Sequence, residues 1–194
     1  MKTNLSTLLL GCLVLLAQPA AHAAALEGQS FDDSIRMANT ELHLNGLGLR
    51  GVMMVKGYVA GLYLPARASS LPEIAASTGP KRLQLRMMRG ASPADFVDAL
   101  VGGMRKNSSP AELQQLEDRI GQLTRAIQAA GAARKGDVVN FDYVPDAGTT
   151  LTLNGHVQGK PITGADFYTA ILKIFIGDHP VDRKLKQGLL GAGA

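Results

Sequence analysis

The chain has 194 residues, 46% of them hydrophobic, with 20 lysines and arginines against 16 acids and a formal charge of +4. That length supports one domain with a substantial core. It has no tryptophan, few aromatics and no run of five or six cations, which excludes a stacking platform for single strands and a nucleic-acid footprint.

Residues 1–23 have the layout of a secretory signal peptide. A basic Met1-Lys2 start leads into an apolar run from Leu8 to Ala17, then Pro19 and the small-x-small site Ala21-His22-Ala23. The run is too short to span a bilayer. A mature chain beginning near Ala24 to Leu26 and a periplasmic location are therefore expected. Leu9-Leu10-Gly11-Cys12 resembles a lipoprotein box, but the apolar run continues past the cysteine instead of ending before it. Cys12 is the single cysteine and leaves with the leader, so the mature chain has no disulfide, thiolate nucleophile or thiolate metal site. Loss of Lys2 takes the charge from +4 to +3. No second apolar segment of about 18 residues follows, so no transmembrane anchor is expected.

Residues 26–38 carry no clear period. Thr40 to Leu44 alternate as a strand, and Asn45-Gly46 is a hairpin signal. The stretch beyond it, through Arg50 and Tyr58 to Leu64, is apolar with little alternation and predicts one unbroken strand buried on both faces, ended by Pro65. A short helix is expected over residues 70–77 and a strand over 81–88. Ser92-Pro93 opens a helix whose inner face is Phe96, Val97, Leu100, Val101 and Met104. Ser109-Pro110-Ala111-Glu112 is a capping box for the next, with Leu113, Leu116, Ile120, Leu123 and Ile127 in one stripe and a stop near Gly131. Three strands follow, Val138–Val144, Thr149–Leu153 and from His156 on, turning at Asp146-Ala147-Gly148 and Asn154-Gly155. Thr163-Gly164-Ala165-Asp166 caps a third long helix that buries Phe167, Ile171, Leu172, Ile174 and Phe175. The tail, Asp182–Leu190, is a short basic helix. Strands, helices, strands and helices in that order predict an α+β fold with a mostly antiparallel sheet over residues 26–191, without repeat or second core.

Few motifs carry chemistry. Gly46-x-Gly48 lacks a third glycine and leads into a strand, so it is no phosphate loop. His43, His156 and His179 have no ligand partner at zinc spacing, and no metal or cofactor is expected. Ser69-Ser70 and Ser108-Ser109 lack a nucleophile elbow. Glu112, Glu117 and Asp118 fit a solvated helix face paired with Arg119 or Arg125. Met53, Met54, Met87, Met88 and Met104 fit either core filling or the adaptable wall of an apolar site. Tyr63 has the opposite parity to Tyr58 and is assigned to packing. On an unbroken strand Arg50 and Tyr58 share one face, with Val52, Met54 and Ala60. They fit either an edge arginine stacked on a tyrosine or the polar end of an apolar cleft.

Three blocks of sequence carry a resemblance. Gly46-Leu-Gly-Leu-Arg50, Val55-Lys56-Gly-Tyr58-Val-Ala-Gly-Leu-Tyr63-Leu64-Pro65 and Ile176-Gly177-Asp-His-Pro-Val-Asp182-Arg-Lys-Leu185-Lys186 are similar to the chalcone isomerase-like family, in its bacterial, exported branch. The resemblance implies an open-faced β-sandwich: a large antiparallel sheet packed on a helical layer, with a ligand cleft between. Of the family's enzyme residues, the arginine falls on Arg50. The threonine position is Tyr58, the tyrosine position lies near Ser108, and the polar residue before Ile-Gly is Ile174. The family's non-catalytic branch binds fatty acids, with an Arg–Tyr pair on the carboxylate, and Arg50 and Tyr58 match that pair. The resemblance thus implies a periplasmic binder of a small amphiphile such as a fatty acid. The alternative is an isomerase or lyase acting on an enone-like, chalcone-type substrate through Arg50 and Tyr58.

Overall fold

A computed structural model describes residues 23–192. The predicted leader lies outside the described residues except for Ala23. The span without clear period is a hairpin of β1 (Ala23–Leu26) and β2 (Gln29–Asp32), followed by β3 (Ser34–Met37). Next come β4 (Thr40–Val52), β5 (Val55–Leu64), α1 (Leu71–Ala76), β6 (Lys81–Met87), α2 (Pro93–Asn107) and α3 (Pro110–Ala130). The chain continues through β7 (Val138–Val144), β8 (Gly148–Leu153), β9 (His156–Ile162), α4 (Ala165–Ile176) and α5 (Arg183–Leu189). Strands β3 to β9 form one seven-stranded antiparallel sheet in sequence order. Helices lie on one face of it, so the expected α+β architecture of sheet and helical layer is the observed one.

The sheet separates two hydrophobic clusters. On the helical face, Ala60, Leu62 and Leu64 of β5 join Leu83, Leu85 and Phe141 beneath Leu100, Leu123, Phe167 and Ile171. On the other face, Val59 and Tyr63 of β5 join Leu42 and Leu44 beneath Phe31 of β2. Gly61 makes this second cluster possible, because a Cβ there would stand 2.7 Å from the Phe31 ring. The second half of β5 is therefore buried on both faces, as its lack of alternation predicts. Tyr63, 1% exposed, is a packing residue.

The helix starts follow the caps in the sequence. Ser92 and Ser109 accept from Asp95 N and Glu112 N, and Glu112 completes the capping box. Helix α4 departs from expectation: Gly164, at φ +102, is its N-cap and no side chain caps it. Asp166 instead takes both arms of Arg119 at 2.7 Å. Glu112 likewise pairs with Lys173 on α4, 3.0 Å away, and not with a neighbour on its own helix.

The long stretch from Thr40 to Leu64 is not one strand after a turn at Asn45-Gly46. Strand β4 runs straight through those residues with a bulge, and the chain reverses at Met53-Met54, where Val52 pairs with Val55. Asn45 is engaged elsewhere. Its buried amide donates to Ala68 O (3.0 Å) and Leu189 O (2.8 Å) and accepts from Ala68 N (2.9 Å). Gly46 is free of a side chain because α5 lies against it. A Cβ on Gly46 would stand 2.1 Å from Gly188 O, and one on Gly48 2.5 Å from Leu185 O. Gly188 in turn faces Leu47 O at 2.1 Å from where its own Cβ would be. The Gly-x-Gly pair thus serves strand–helix contact.

Two glycines give a matched prediction. Gly46→Ala forces β4 and α5 apart and lowers unfolding free energy by about 1–3 kcal/mol, the ordinary cost of overpacking. Gly102→Ala, in α2 with nothing within 4 Å of its Cβ position, raises it by about 0.4–1 kcal/mol. Urea denaturation of both variants measures the two signs.

Candidate functional site

Arg50 and Tyr58 do share a face, for a reason other than parity along one strand. They are direct cross-strand partners on β4 and β5. Immediately beyond them the ladder carries a bulge: Gly51 pairs with Lys56, leaving Gly57 over. The extra residue turns Lys56 away from the helical face toward Glu27 in the β1–β2 turn, with which it forms an ion pair. Met54, predicted on the face of Arg50 and Tyr58, is at the hairpin tip and 97% exposed. Ala60 does lie on that face, in the main core.

Tyr58 lines a cavity of about 350 Å³ between the sheet and the helical layer. Its floor is Tyr58, Leu85 and Met87, the last directly opposite Tyr58 on β6. Phe96, Ala99 and Leu100 of α2 roof it, and Ile174 and Phe175 of α4 with Val181 close the side. Gly57, Arg89, Gly90 and Asp95 form the rim. The walls are predominantly apolar and the polar groups few, the composition of a site for an amphiphile. Tyr58 packs edge-on against Phe175, with centroids 6.4 Å apart and planes at 64°.

Burial raises the Tyr58 phenol well above its ordinary pKa; the Arg50 charge opposes this and Asp182 adds to it. At neutral pH Tyr58 is a neutral hydrogen-bond donor. Arg50, the cross-strand partner of Tyr58, is not among the residues that line the cavity. Its Nη1 donates to Gly51 O at 2.9 Å and lies 3.7 Å from Asp182 Oδ2. The other Asp182 oxygen caps α5, accepting from Lys184 N at 2.8 Å and Leu185 N at 3.1 Å. The carboxylate that begins the last helix is therefore also the counter-ion of the candidate arginine.

The other carried-over positions separate. Ile174 is cavity wall. Ser108 ends α2, and its buried Oγ has no hydrogen-bond partner. It lines a different groove with Lys173 and His179. The methionines divide as well: Met87 is in the cavity, Met104 in the core, Met88 against the second cluster, and Met53 and Met54 in solvent. Arg89 and Asp95 at the rim had no signal in the sequence, being ordinary exposed charges beside a turn and a cap. A larger groove of about 640 Å³, between the β1–β2 hairpin and α5, mixes Asp33, His43 and Arg67 with glycine backbone and shares no residue with the Tyr58 cavity. Among the described residues, no group of three or more His, Cys, Asp or Glu is placed to hold a metal. None of the helices there is long and apolar enough to cross a membrane.

Three tyrosines make the fold sensitive to alkali. Burial raises Tyr58 and Tyr168 well above the phenol range, and Tyr63 is pushed up to about 12. In the unfolded chain each ionises near 10. The folded state therefore holds these protons more tightly, and their stabilisation is full below pH 10 and declines as pH rises through 12 and beyond. Tyr58→Phe is expected to lessen this alkaline decline, as read by urea midpoints across that pH window.

Residues 23–191 match the family model described as chalcone isomerase-like. No curated protein matches the chain in sequence. Among solved structures, the crystal structure of the Arabidopsis thaliana fatty-acid binding protein AtFAP1 is similar in fold, with a TM-score of 0.65 at 15% identity, covering 87% of this chain and 96% of that one.

Proposed function

The chain belongs to the chalcone isomerase-like family, and on that premise we propose that its cleft binds a small amphiphile, a fatty acid in the first instance, without transforming it. The observation that carries this reading is the apolar cavity of about 350 Å³ lined by the neutral Tyr58 phenol, whose cross-strand partner is Arg50. An acyl chain lies between Met87, Phe96, Leu100 and Phe175. The carboxylate meets the Tyr58 hydroxyl and draws Arg50 from its loose contact with Asp182. A guanidinium offers a carboxylate two parallel charge-assisted bonds, for which an ion pair 3.7 Å long is a weak competitor. The fold likeness to a protein described as fatty-acid binding supports the same ligand class. The leader-like residues 1–23 support a periplasmic setting. An isomerase reading would need further hydroxyls to stabilise the reacting oxygens beside Arg50, and of the family's other polar positions one is Ile174 in the cavity wall and the other, near Ser108, falls in a different groove.

Denaturing extraction of the purified protein, followed by mass spectrometry, should release an amphiphile, and laurate or palmitate should raise the melting temperature. Neither result occurring would end the proposal. Arg50→Ala is expected to weaken fatty-acid binding on the order of tenfold or more, and Tyr58→Phe by less, because the charged bonds are the stronger. Equal affinity for a fatty acid and its methyl ester would contradict the carboxylate contact.

Asp182→Asn tests the counter-ion. Asparagine is as good an N-cap as aspartate and keeps the helix-capping acceptor, while the competing charge is lost. Fatty-acid affinity measured by calorimetry should rise, with the melting temperature of the free protein little changed.

A further inference from the structure

The tip of the β4–β5 hairpin is built against the usual preferences of an exposed turn. Met53 is 100% and Met54 97% exposed, and Val55 beside them is 49% exposed. Met53 also has φ +54, a left-handed conformation that favours glycine or asparagine in a two-residue reversal. Solvent and backbone would both select a small polar residue there, and the chain carries two unbranched apolar ones.

Cations surround this tip. Arg50 precedes it and Lys56 follows it. Exposed Arg89 lies on the adjacent strand end, where Met88 N donates to Gly57 O at 2.9 Å. Exposed Arg183 and Lys184 follow directly on Asp182, the partner of Arg50. Of the acids near these five cations, Glu27 and Asp182 are paired with Lys56 and Arg50, Asp95 accepts from Ser92 Oγ, and Asp137, beside Met87, accepts from Arg134 N and Asn154 Nδ2. Gly57 and Arg89 are also the rim of the cavity, so its mouth opens three residues from Met54.

We propose that Met53 and Met54 insert into the surface of an anionic lipid bilayer, with the collar of Lys56, Arg89, Arg183 and Lys184 on the headgroups and the cavity mouth facing the membrane. A protein partner fits less well. Two tip side chains are far from the roughly 800 Å² per partner that a stable protein interface buries. Flexible thioether chains conform to fluid hydrocarbon, and a basic rim meets anionic headgroups. The docking rests on the tip and its collar alone; only its use, passing an amphiphile between bilayer and cavity, rests on the fatty-acid reading.

Vesicle co-sedimentation tests it, using the purified protein with its N terminus defined by intact mass. Wild type and variants share that terminus, so any contribution from residues 1–22 cancels. The probes are phosphatidylcholine vesicles with and without about a quarter phosphatidylglycerol. Wild type should associate with the anionic vesicles and at least about tenfold less with the neutral ones. Met53→Ser/Met54→Ser should lower association with anionic vesicles at least about tenfold, while its melting temperature and its affinity for soluble laurate stay at wild-type values. The proposal is overturned by no association, by equal association with both vesicles, or by association that the double serine variant leaves unmoved. If the protein docks on anionic vesicles yet binds no laurate, docking stands and the fatty-acid reading fails.

Discussion

The last helix lies on the sheet backbone to backbone. Gly46 and Gly48 on one side and Gly188 on the other leave no side chain at the points of closest approach, so α5 approaches β4 there to a distance that no Cβ would permit. Much else follows from that approach. Asn45 can reach Leu189 O across it and Ala68 on the other side, tying the strand to both the helix and the loop after β5. The close fit also fixes where α5 begins, and so puts the Asp182 cap beside Arg50. The end of the core, with Leu185 and Leu189 fully buried, is sealed by the same contact.

The cavity is a consequence of how β5 is shared between two clusters. Its inner residues are held by the helices and its outer ones by the β1–β2 hairpin, which leaves the strand little freedom. At Gly57 the bulge releases it from that double constraint. From there the strand leaves the core, and Tyr58, the last inward residue, is the point where the apolar interior meets the rim. A phenol suits such a boundary: its ring packs on Phe175 while its hydroxyl can serve a polar group.

Most of the architecture could be read from periodicity and caps, because those signals are local. Ser92 and Ser109 cap the helices they are expected to cap, the tail helix expected over Asp182–Leu190 runs from Arg183 to Leu189 with Asp182 as its cap, and Asn154-Gly155 makes its turn at φ +51 and +81. The errors came where tertiary contact overrides a local signal. Asn45-Gly46 has the composition of a hairpin turn, but asparagine was needed for a long-range bridge and glycine for a helix. The real reversal, Met53-Met54, has no turn residue at all. The family resemblance and strand parity both put Arg50 and Tyr58 together. They do share a face, but through cross-strand register, which a sequence cannot display without knowing where the chain turns back. The rim charges Arg89 and Asp95 were invisible because nothing distinguishes them locally from other surface charges.

Neighbouring strands in the large sheet are joined by short connections except β5 and β6, linked by residues 65–80 with α1, and β6 and β7, separated by the much longer α2–α3 excursion. The sheet is thus two meanders, β3 to β6 and β7 to β9, meeting at one long-range seam. The pairs joined by tight turns can zip locally and β5 with β6 needs a loop of sixteen residues closed, whereas the seam requires closure of some fifty residues before its pairing gives any return. The seam also carries buried side-chain pairs that specify its alignment: Arg82 with Asp142, and Gln84 through Asn140 to Thr152. A slip of one residue would leave these groups unmatched, so the slowest junction in the sheet is also the one with the strongest selection of register.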